Sequence, residues 1–124
     1  MATDELSERM DVLQQAGFVD EAGRRDLEAI ADILTTECGV SRDNEILGTL
    51  VTHVAAALKR ARDGEDINPL DPAIVDDVRS SAVYDEARRI QQEIFAAMRS
   101  ELSEPEQEFV LVHVGGLLMS QVDE

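Results

Sequence analysis

The two histidines of the chain, His53 and His113, are the residues whose type and setting could carry chemistry. A neutral imidazole nitrogen can act near pH 7 as a nucleophile, a proton carrier or a metal ligand. Taken singly, either histidine could also be an ordinary structural residue whose polar atoms are satisfied by hydrogen bonds. The sequence pattern around each histidine indicates which surroundings it has.

The segment that contains His53 is a helical pattern with a continuous apolar stripe. At roughly 100° per residue, His53 projects about 110° from the centre of that stripe, on the flank that also carries Thr49 and Arg60. We therefore predict an accessible histidine beside the core, with a cation about two turns further along the same flank.

His113 stands in a segment, FVLVHVGGLLM, that is apolar around nearly its whole circumference. Such a helix is expected to be buried centrally or in an interface, so we predict a buried His113 that needs hydrogen-bond partners. Gly115 and Gly116 follow, and each costs about 1 kcal/mol relative to alanine inside a helix. Either a neighbouring helix packs very closely there, or space is kept beside His113.

The rest of the pattern is helical as well, with no period-two apolar strand and no hairpin signal. Ser41 and Asp43 are candidate caps for the third helix, and periodicity places Ala61 and Ala97 in buried stripes. The predicted helical ranges are 4–16, 21–37, from 41 or 43 to 63, 72–79, 82–101 and from about 103 to 121. We predict an all-α fold, a compact five-helix bundle with a short extra N-terminal helix, divided into an N-terminal extension (1–19) and a helical domain (20–124).

Composition limits the classes of partner. The 124 residues suffice for one domain, and with 3% aromatic residues its core must be aliphatic. The net charge of -16 would repel nucleic acid and anionic membranes, so we expect neither as a direct partner. The lone Cys38 is expected to be a small buried hydrophobe. Without a signal-peptide pattern or an apolar stretch of about 18 residues, we expect a cytoplasmic protein.

Two segments, LVTHVAAALKR and EQEFVLVHVGG, and an Asn-Pro-Leu turn after the first, match one family pattern in order. The matching residues are His53, Ala57, Leu58, Arg60, Asn68, Pro69, Leu70, Tyr84, Ala87, Glu106, Phe109, Val110, Val112 and His113. With this ordered set, over roughly residues 20 to 122, the sequence resembles the PTS regulation domain (PRD) family, which is known from transcriptional antiterminators and activators of sugar-uptake operons.

The resemblance implies a five-helix bundle, often a homodimer, whose histidines accept phosphate from phosphohistidine donors of the phosphoenolpyruvate-dependent sugar phosphotransferase system. The donors are HPr or a sugar-specific enzyme II, and His53 and His113 are the acceptor candidates. A phosphoryl group adds close to two negative charges, so on this acidic chain it needs a local cation. Arg60 is our candidate, and Arg88 and Arg89 are weaker ones. We expect a domain that is not an enzyme, holds no metal, nucleotide or organic cofactor, and acts by switching partner or dimer contacts.

Three alternatives remain. The family often has an aspartate where this chain has Thr52, and no RNA-binding or helix-turn-helix module is recognised beside the domain. Both points favour a PRD-derived helical interaction or dimerisation module that is not phosphorylated. A metal site of His53, His113 and a carboxylate is disfavoured because the histidines are 60 residues apart, without ligand spacing. An acid–base enzyme is disfavoured because the 27 acids spread along helix faces.

Overall fold

The computed structural model describes residues 4–99 and 101–122, the last two by their backbone, and all regular structure within them is helical. The helices are α1 (Glu5–Gln15), α2 (Glu21–Cys38), α3 (Glu45–Asp63), α4 (Pro72–Arg79), α5 (Tyr84–Ala97) and α6 (Glu104–Val122). The predicted all-α class is confirmed, and the described residues form a short leading helix followed by five more.

Capping residues set four of the helix starts and two of the helix ends. Asp4, Asp20, Asn44 and Asp71 each accept a hydrogen bond from a first-turn amide of α1, α2, α3 and α4, which satisfies donors that a helix start leaves unpaired. Gly39 and Gly64 end α2 and α3 with φ of 68° and 74°, a left-handed conformation that glycine adopts without steric cost.

The predicted ends of two helices were wrong. The cap of α3 is Asn44 rather than Ser41 or Asp43, because the side chains of these two residues hydrogen-bond to each other in the preceding turn. The predicted helix over 82–101 is shorter at both ends. It begins at Tyr84 and stops at Ala97, because the next residue, Met98, has an extended backbone with ψ 143°. Ser100 of that range lies outside the described residues.

The last helix, α6, lies at the centre of the fold and packs against α2, α3, α4 and α5. Its side chains Val110, Leu111, Val114 and Leu117 are buried, whereas Val112 and Leu118 are partly exposed and Met119 is exposed. The expectation that this all-round apolar helix is buried therefore holds for one face of α6 and not for its whole circumference. This central position brings the second predicted motif of the sequence directly against α3, which carries the first.

The leading helix, α1, packs on α2 and α3. Its apolar residues Leu6, Met10 and Leu13 are buried in the same hydrophobic cluster as the rest of the core. The predicted N-terminal extension (1–19) therefore shares one hydrophobic core with the predicted helical domain (20–124). Residues 1–3 and 123–124 of these ranges lie outside the described part. Helix α1 thus covers part of this core and shields it from solvent.

Three residues that were predicted to be buried, Ala61, Ala97 and Cys38, are less buried than expected. Ala61 and Ala97 are exposed, because both lie in the last turn of a helix where no neighbouring helix covers them. Cys38 is only half-buried, against the edge of the core, and this burial raises the pKa of its thiol to about 11. Within residues 4–99 and 101–122, no helix is both long and apolar enough to cross a membrane.

Candidate functional site

The two histidines meet where α3 packs on α6. The ring centroids of His53 and His113 are 5.7 Å apart. The phenyl ring of Phe109 stacks on both, with its centroid 3.6 Å from that of His53 and 4.2 Å from that of His113. Residues far apart in the sequence thus form one three-ring cluster.

An ion pair joins the same two helices beside the ring cluster. Arg60 Nη2 donates to both carboxylate oxygens of Glu106, each at 3.0 Å. Arg60 follows His53 by seven residues on α3, and Glu106 precedes His113 by seven residues on α6. Seven residues make about two helical turns, so each helix presents both of its groups on one face. The opposite order of the two contacts shows that α3 and α6 run antiparallel here.

His53 is partly buried, and its Nε2 is buried without a hydrogen-bond partner. Burial lowers the pKa of His53 to about 4, with smaller contributions from His113 and from the positive charge of Arg60. The ring is therefore neutral at pH 7, and one of its nitrogens carries a lone pair.

His113 is held in a defined tautomer. Its Nδ1 lies 3.1 Å from the backbone oxygen of Phe109. Because a carbonyl oxygen only accepts hydrogen bonds, Nδ1 carries the proton and the lone pair of the neutral ring is on Nε2. Burial lowers the pKa of His113, and the hydrogen bond to Phe109 opposes that effect only in part. His113 is therefore also neutral at pH 7, with Nε2 as its nucleophilic atom.

The Arg60–Glu106 pair is partly removed from water. The side chain of Glu106 is 4% exposed and that of Arg60 is 25% exposed. Arg60 Nε is buried and has no hydrogen-bond partner. Among the residues that the structure describes, His53 Nε2 and Arg60 Nε are the two buried side-chain nitrogen or oxygen atoms that lack one. Both belong to the α3–α6 contact, which concentrates the unmet hydrogen-bonding capacity of the fold there.

Thr52, at the position where the family often has aspartate, is engaged elsewhere. Its Oγ1 donates to the backbone oxygen of Gly48 at 2.9 Å and accepts from Arg9 Nη1 at 2.8 Å. Arg9 belongs to α1, so this hydroxyl links α3 to the leading helix rather than orienting the ring of His53.

The predicted contrast between an accessible His53 and a buried His113 is wrong. Both residues have intermediate exposure, and it is His53 whose Nε2 is sealed. The helical-wheel argument placed His53 off the stripe of α3 correctly, but Phe109 of α6 covers that flank. His113 is likewise not fully covered, and Gly116, about one turn later on α6, is exposed.

Of the three predicted cations, Arg60 is the one whose positive charge contributes to the lowered pKa of His53. It is not a free cation, however, since Glu106 already holds it. Arg88 donates to the hydroxyl of Tyr84 at 3.1 Å, and Arg89 pairs with acids on α2 and α5. Glu106 was recognised in the sequence as a motif residue but not as the partner of Arg60. The matching seven-residue spacings could have indicated it.

The two glycines after His113 have different surroundings. A Cβ at Gly115 would lie 3.2 Å from Val78 Cγ1 on α4, whereas a Cβ at Gly116 would meet nothing within 4 Å. Of the two alternatives left open by the sequence, close packing of a neighbouring helix holds at Gly115, where α4 approaches. Gly116 is exposed and faces open space.

No group of three or more histidine, cysteine or acidic side chains in the described ranges is arranged to hold a metal ion. His53 and His113 present parallel ring faces, 17° from parallel, instead of converging on a common point. This geometry gives no support to the alternative of a metal site built on the two histidines.

Comparison with known proteins places this arrangement in a family. The model of the PRD domain matches residues 28–117, which is most of the chain, and the chain therefore belongs to the PRD domain family. The match indicates a regulatory domain related to the sugar phosphotransferase system, and it spans both histidines, Phe109 and the Arg60–Glu106 pair.

A relative from Escherichia coli (strain K12), described as Uncharacterized protein YhfY, is 27% identical over 119 residues. The alignment covers 96% of this chain and 99% of the relative. No solved structure matches the chain.

Proposed function

We propose that the protein is a phosphorylation-responsive regulatory domain that accepts a phosphoryl group on His53 or His113. The observation that carries the proposal is the gathering of both imidazoles in one cluster, each kept neutral by burial, with Arg60 acting on His53. A neutral imidazole is the reactive form, because only it offers a lone pair.

The transfer needs no catalytic group from this chain. A ring nitrogen of the acceptor attacks the phosphorus of the donor's phosphohistidine, a nitrogen–phosphorus bond forms, and the donor's nitrogen–phosphorus bond breaks. The donor imidazole recovers its lone pair, and no net proton is gained or lost because both partners are imidazoles. We propose HPr or a sugar-specific enzyme II as the donor, acting in the cytoplasm, and a domain that is itself not an enzyme.

The response follows from the burial of the site. His53 Nε2 is buried, so attaching a phosphoryl group to it requires the atoms packed around this nitrogen to move. The added charge would alter the packing of α3 on α6 and the surface around it. A homodimer is the assembly we expect to respond. Ile74 of α4 and Met119 of α6, which are 45% and 48% exposed, are candidates for partner contacts.

The proposal is tested by incubating the protein with phosphoenolpyruvate, enzyme I and HPr, and then with several enzyme II donors. Intact mass and acid-labile, base-stable phosphate are measured for the wild type, His53→Gln, His113→Gln and the double variant. We expect one or both single variants to lose label and the double variant to lose all of it, since the chain has two histidines. Absence of label on the wild type with every donor would refute the proposal.

The second candidate is a helical interaction or dimerisation module that is not phosphorylated. It is favoured by the sealed Nε2 of His53 and by the engagement of Thr52 with Arg9 instead of the histidine. The same experiment separates the two functions, because an unlabelled wild type whose oligomeric state is unchanged by the donor system is the result that the second candidate predicts.

A further inference from the structure

We propose that Glu106 is a positioning residue that holds Arg60 in the resting state, and that Arg60 leaves Glu106 for the phosphoryl group when His53 is phosphorylated. The inference rests on the proposed function in that it concerns the phosphorylated state of His53. It adds a residue, Glu106, and a definite exchange of partners to it.

The first observation is the incomplete pairing of the guanidinium. Arg60 contacts Glu106 through Nη2 alone, at 3.0 Å to each oxygen, while its Nε is buried without an acceptor. An arginine usually binds an oxyanion through two parallel donors. Arg60 therefore keeps one buried donor unused, and a phosphoryl oxygen is the kind of acceptor that would satisfy it.

The second observation is the relation of Arg60 to His53. Helical side chains lean toward the N-terminus of their helix, and His53 lies in that direction from Arg60, about two turns away along α3. The positive charge of Arg60 contributes to the lowered pKa of His53. His53 Nε2 and Arg60 Nε, which both lack a hydrogen-bond partner, thus belong to residues on one face of α3. A phosphoryl group on His53 Nε2 would lie on the face of α3 that also carries Arg60.

The third observation is the burial of Glu106, which makes the exchange of partners costly in free energy. Its side chain is 4% exposed, so a carboxylate abandoned by Arg60 would be a buried charge without a counter-ion. The position of Glu106 in the first turn of α6 offsets this cost in part, because the positive end of a helix favours an acid. The remainder would be relieved by moving the start of α6 away from α3.

Phosphorylation of His53 would therefore loosen the α3–α6 contact at its Arg60 end, where the chain supplies the cation, as well as at the ring cluster. In this scheme Glu106 sets how readily His53 is phosphorylated. A weaker hold on Arg60 makes the phosphorylated state easier to reach, and removal of Arg60 makes it harder.

The test uses phosphoramidate, a small-molecule donor, in a His113→Gln background so that His53 is the acceptor. A ring nitrogen of His53 attacks phosphorus, the phosphorus–nitrogen bond of the reagent breaks, and ammonia leaves. The variants are Glu106→Gln, the matched control Glu104→Gln, Arg60→Met, and the exchange Arg60→Glu with Glu106→Arg. Glu104 is an exposed acid of the same first turn, so its control removes the same charge without touching Arg60.

We expect Glu106→Gln to raise the extent of His53 phosphorylation by about tenfold over Glu104→Gln, and Arg60→Met to lower it by about tenfold, as suits one charge-assisted hydrogen bond. The exchanged pair should recover the thermal stability of the wild type but not the phosphorylation, because an acid then stands beside His53. If the ion pair were purely structural, the exchanged pair would recover both the thermal stability and the phosphorylation.

Equal phosphorylation of the Glu106→Gln and Glu104→Gln variants, full phosphorylation of the exchanged pair, or no phosphorylation of His53 in any variant would each overturn the inference. Because phosphoramidate replaces the protein donors, these outcomes are independent of whether HPr or an enzyme II phosphorylates the protein. Failure of the protein donors alone would refute the proposed function and leave the partner exchange standing.

Discussion

Phe109 of α6 lies face to face with His53 of α3, with the ring planes 4° apart and the centroids 3.6 Å apart. This stack covers a histidine that its own helix leaves at the edge of the core. The packing of α6 on α3 therefore covers one ring face of His53, and the Nε2 atom of this ring is also buried.

Replacing Phe109 by leucine should speed the phosphorylation of His53. Leucine keeps an apolar side chain in place but loses the flat ring face, and an aromatic pair contributes about 1 kcal/mol beyond its buried area. We expect a roughly fivefold higher rate, measured with phosphoramidate in the His113→Gln background. Phe95→Leu on α5, which replaces another partly buried phenylalanine, is the control. Equal rates in both variants would mean that Phe109 does not limit access.

His53 should make the stability of the fold pH-dependent. The pKa of its ring is lowered from 6.5 to about 4 in the folded protein, so between these pH values the unfolded chain binds more protons. The free energy of unfolding therefore falls as the pH drops from 6.5 toward 4. After allowance for solvent screening of a partly exposed ring, we expect about 1 kcal/mol from this residue.

Urea unfolding at pH 7 and pH 4.5 checks this effect, and the quantity compared is the change with pH rather than the stability at one pH. His53→Gln should show a smaller loss than the wild type, and the double variant with His113→Gln a smaller loss still, since the pKa of His113 is also lowered. The same loss in the wild type and the double variant would show that the acids alone govern the response.

The two partners of the α3–α6 ion pair should differ in what their loss costs. Arg60→Met leaves the 4% exposed Glu106 without a counter-ion, whereas Glu106→Gln leaves a guanidinium that is 25% exposed and can turn toward water. We expect Arg60→Met to lower the free energy of unfolding by about 3 kcal/mol and Glu106→Gln by about 1 kcal/mol. Urea denaturation at pH 7 measures both, and the reverse order would contradict the assigned burial.

The adjacent glycines of α6 provide a matched pair of substitutions. Gly116→Ala meets nothing within 4 Å and should stabilise the fold by about 1 kcal/mol through helix propensity. Gly115→Ala places its methyl group 3.2 Å from Val78 Cγ1, so the side chain of Val78 or α4 itself must yield slightly, and we expect a net destabilisation of about 1 kcal/mol. Thermal unfolding of the two variants tests this. Similar gains at both positions would show that α4 yields without cost.

The sequence predicted the helices well because caps and apolar periodicity are local properties. It did not predict which residues cover His53, since a helical wheel locates a side chain relative to its own stripe and carries no information about the neighbouring helix. Phe109 was visible as a motif residue, but its contact with His53 depends on the antiparallel register of α3 and α6. The same register pairs Arg60 with Glu106, and only the equal spacing of seven residues in both motifs could have suggested it.

The position of α1 has a practical consequence for dissecting this protein. The family match begins at residue 28, within α2, which starts at Glu21. A fragment cut at that boundary would lose the first turns of α2 and all of α1. It would expose to water the core surface now covered by Leu6, Met10 and Leu13. The folding unit is therefore larger than the segment by which the family is recognised, and such a fragment is expected to aggregate.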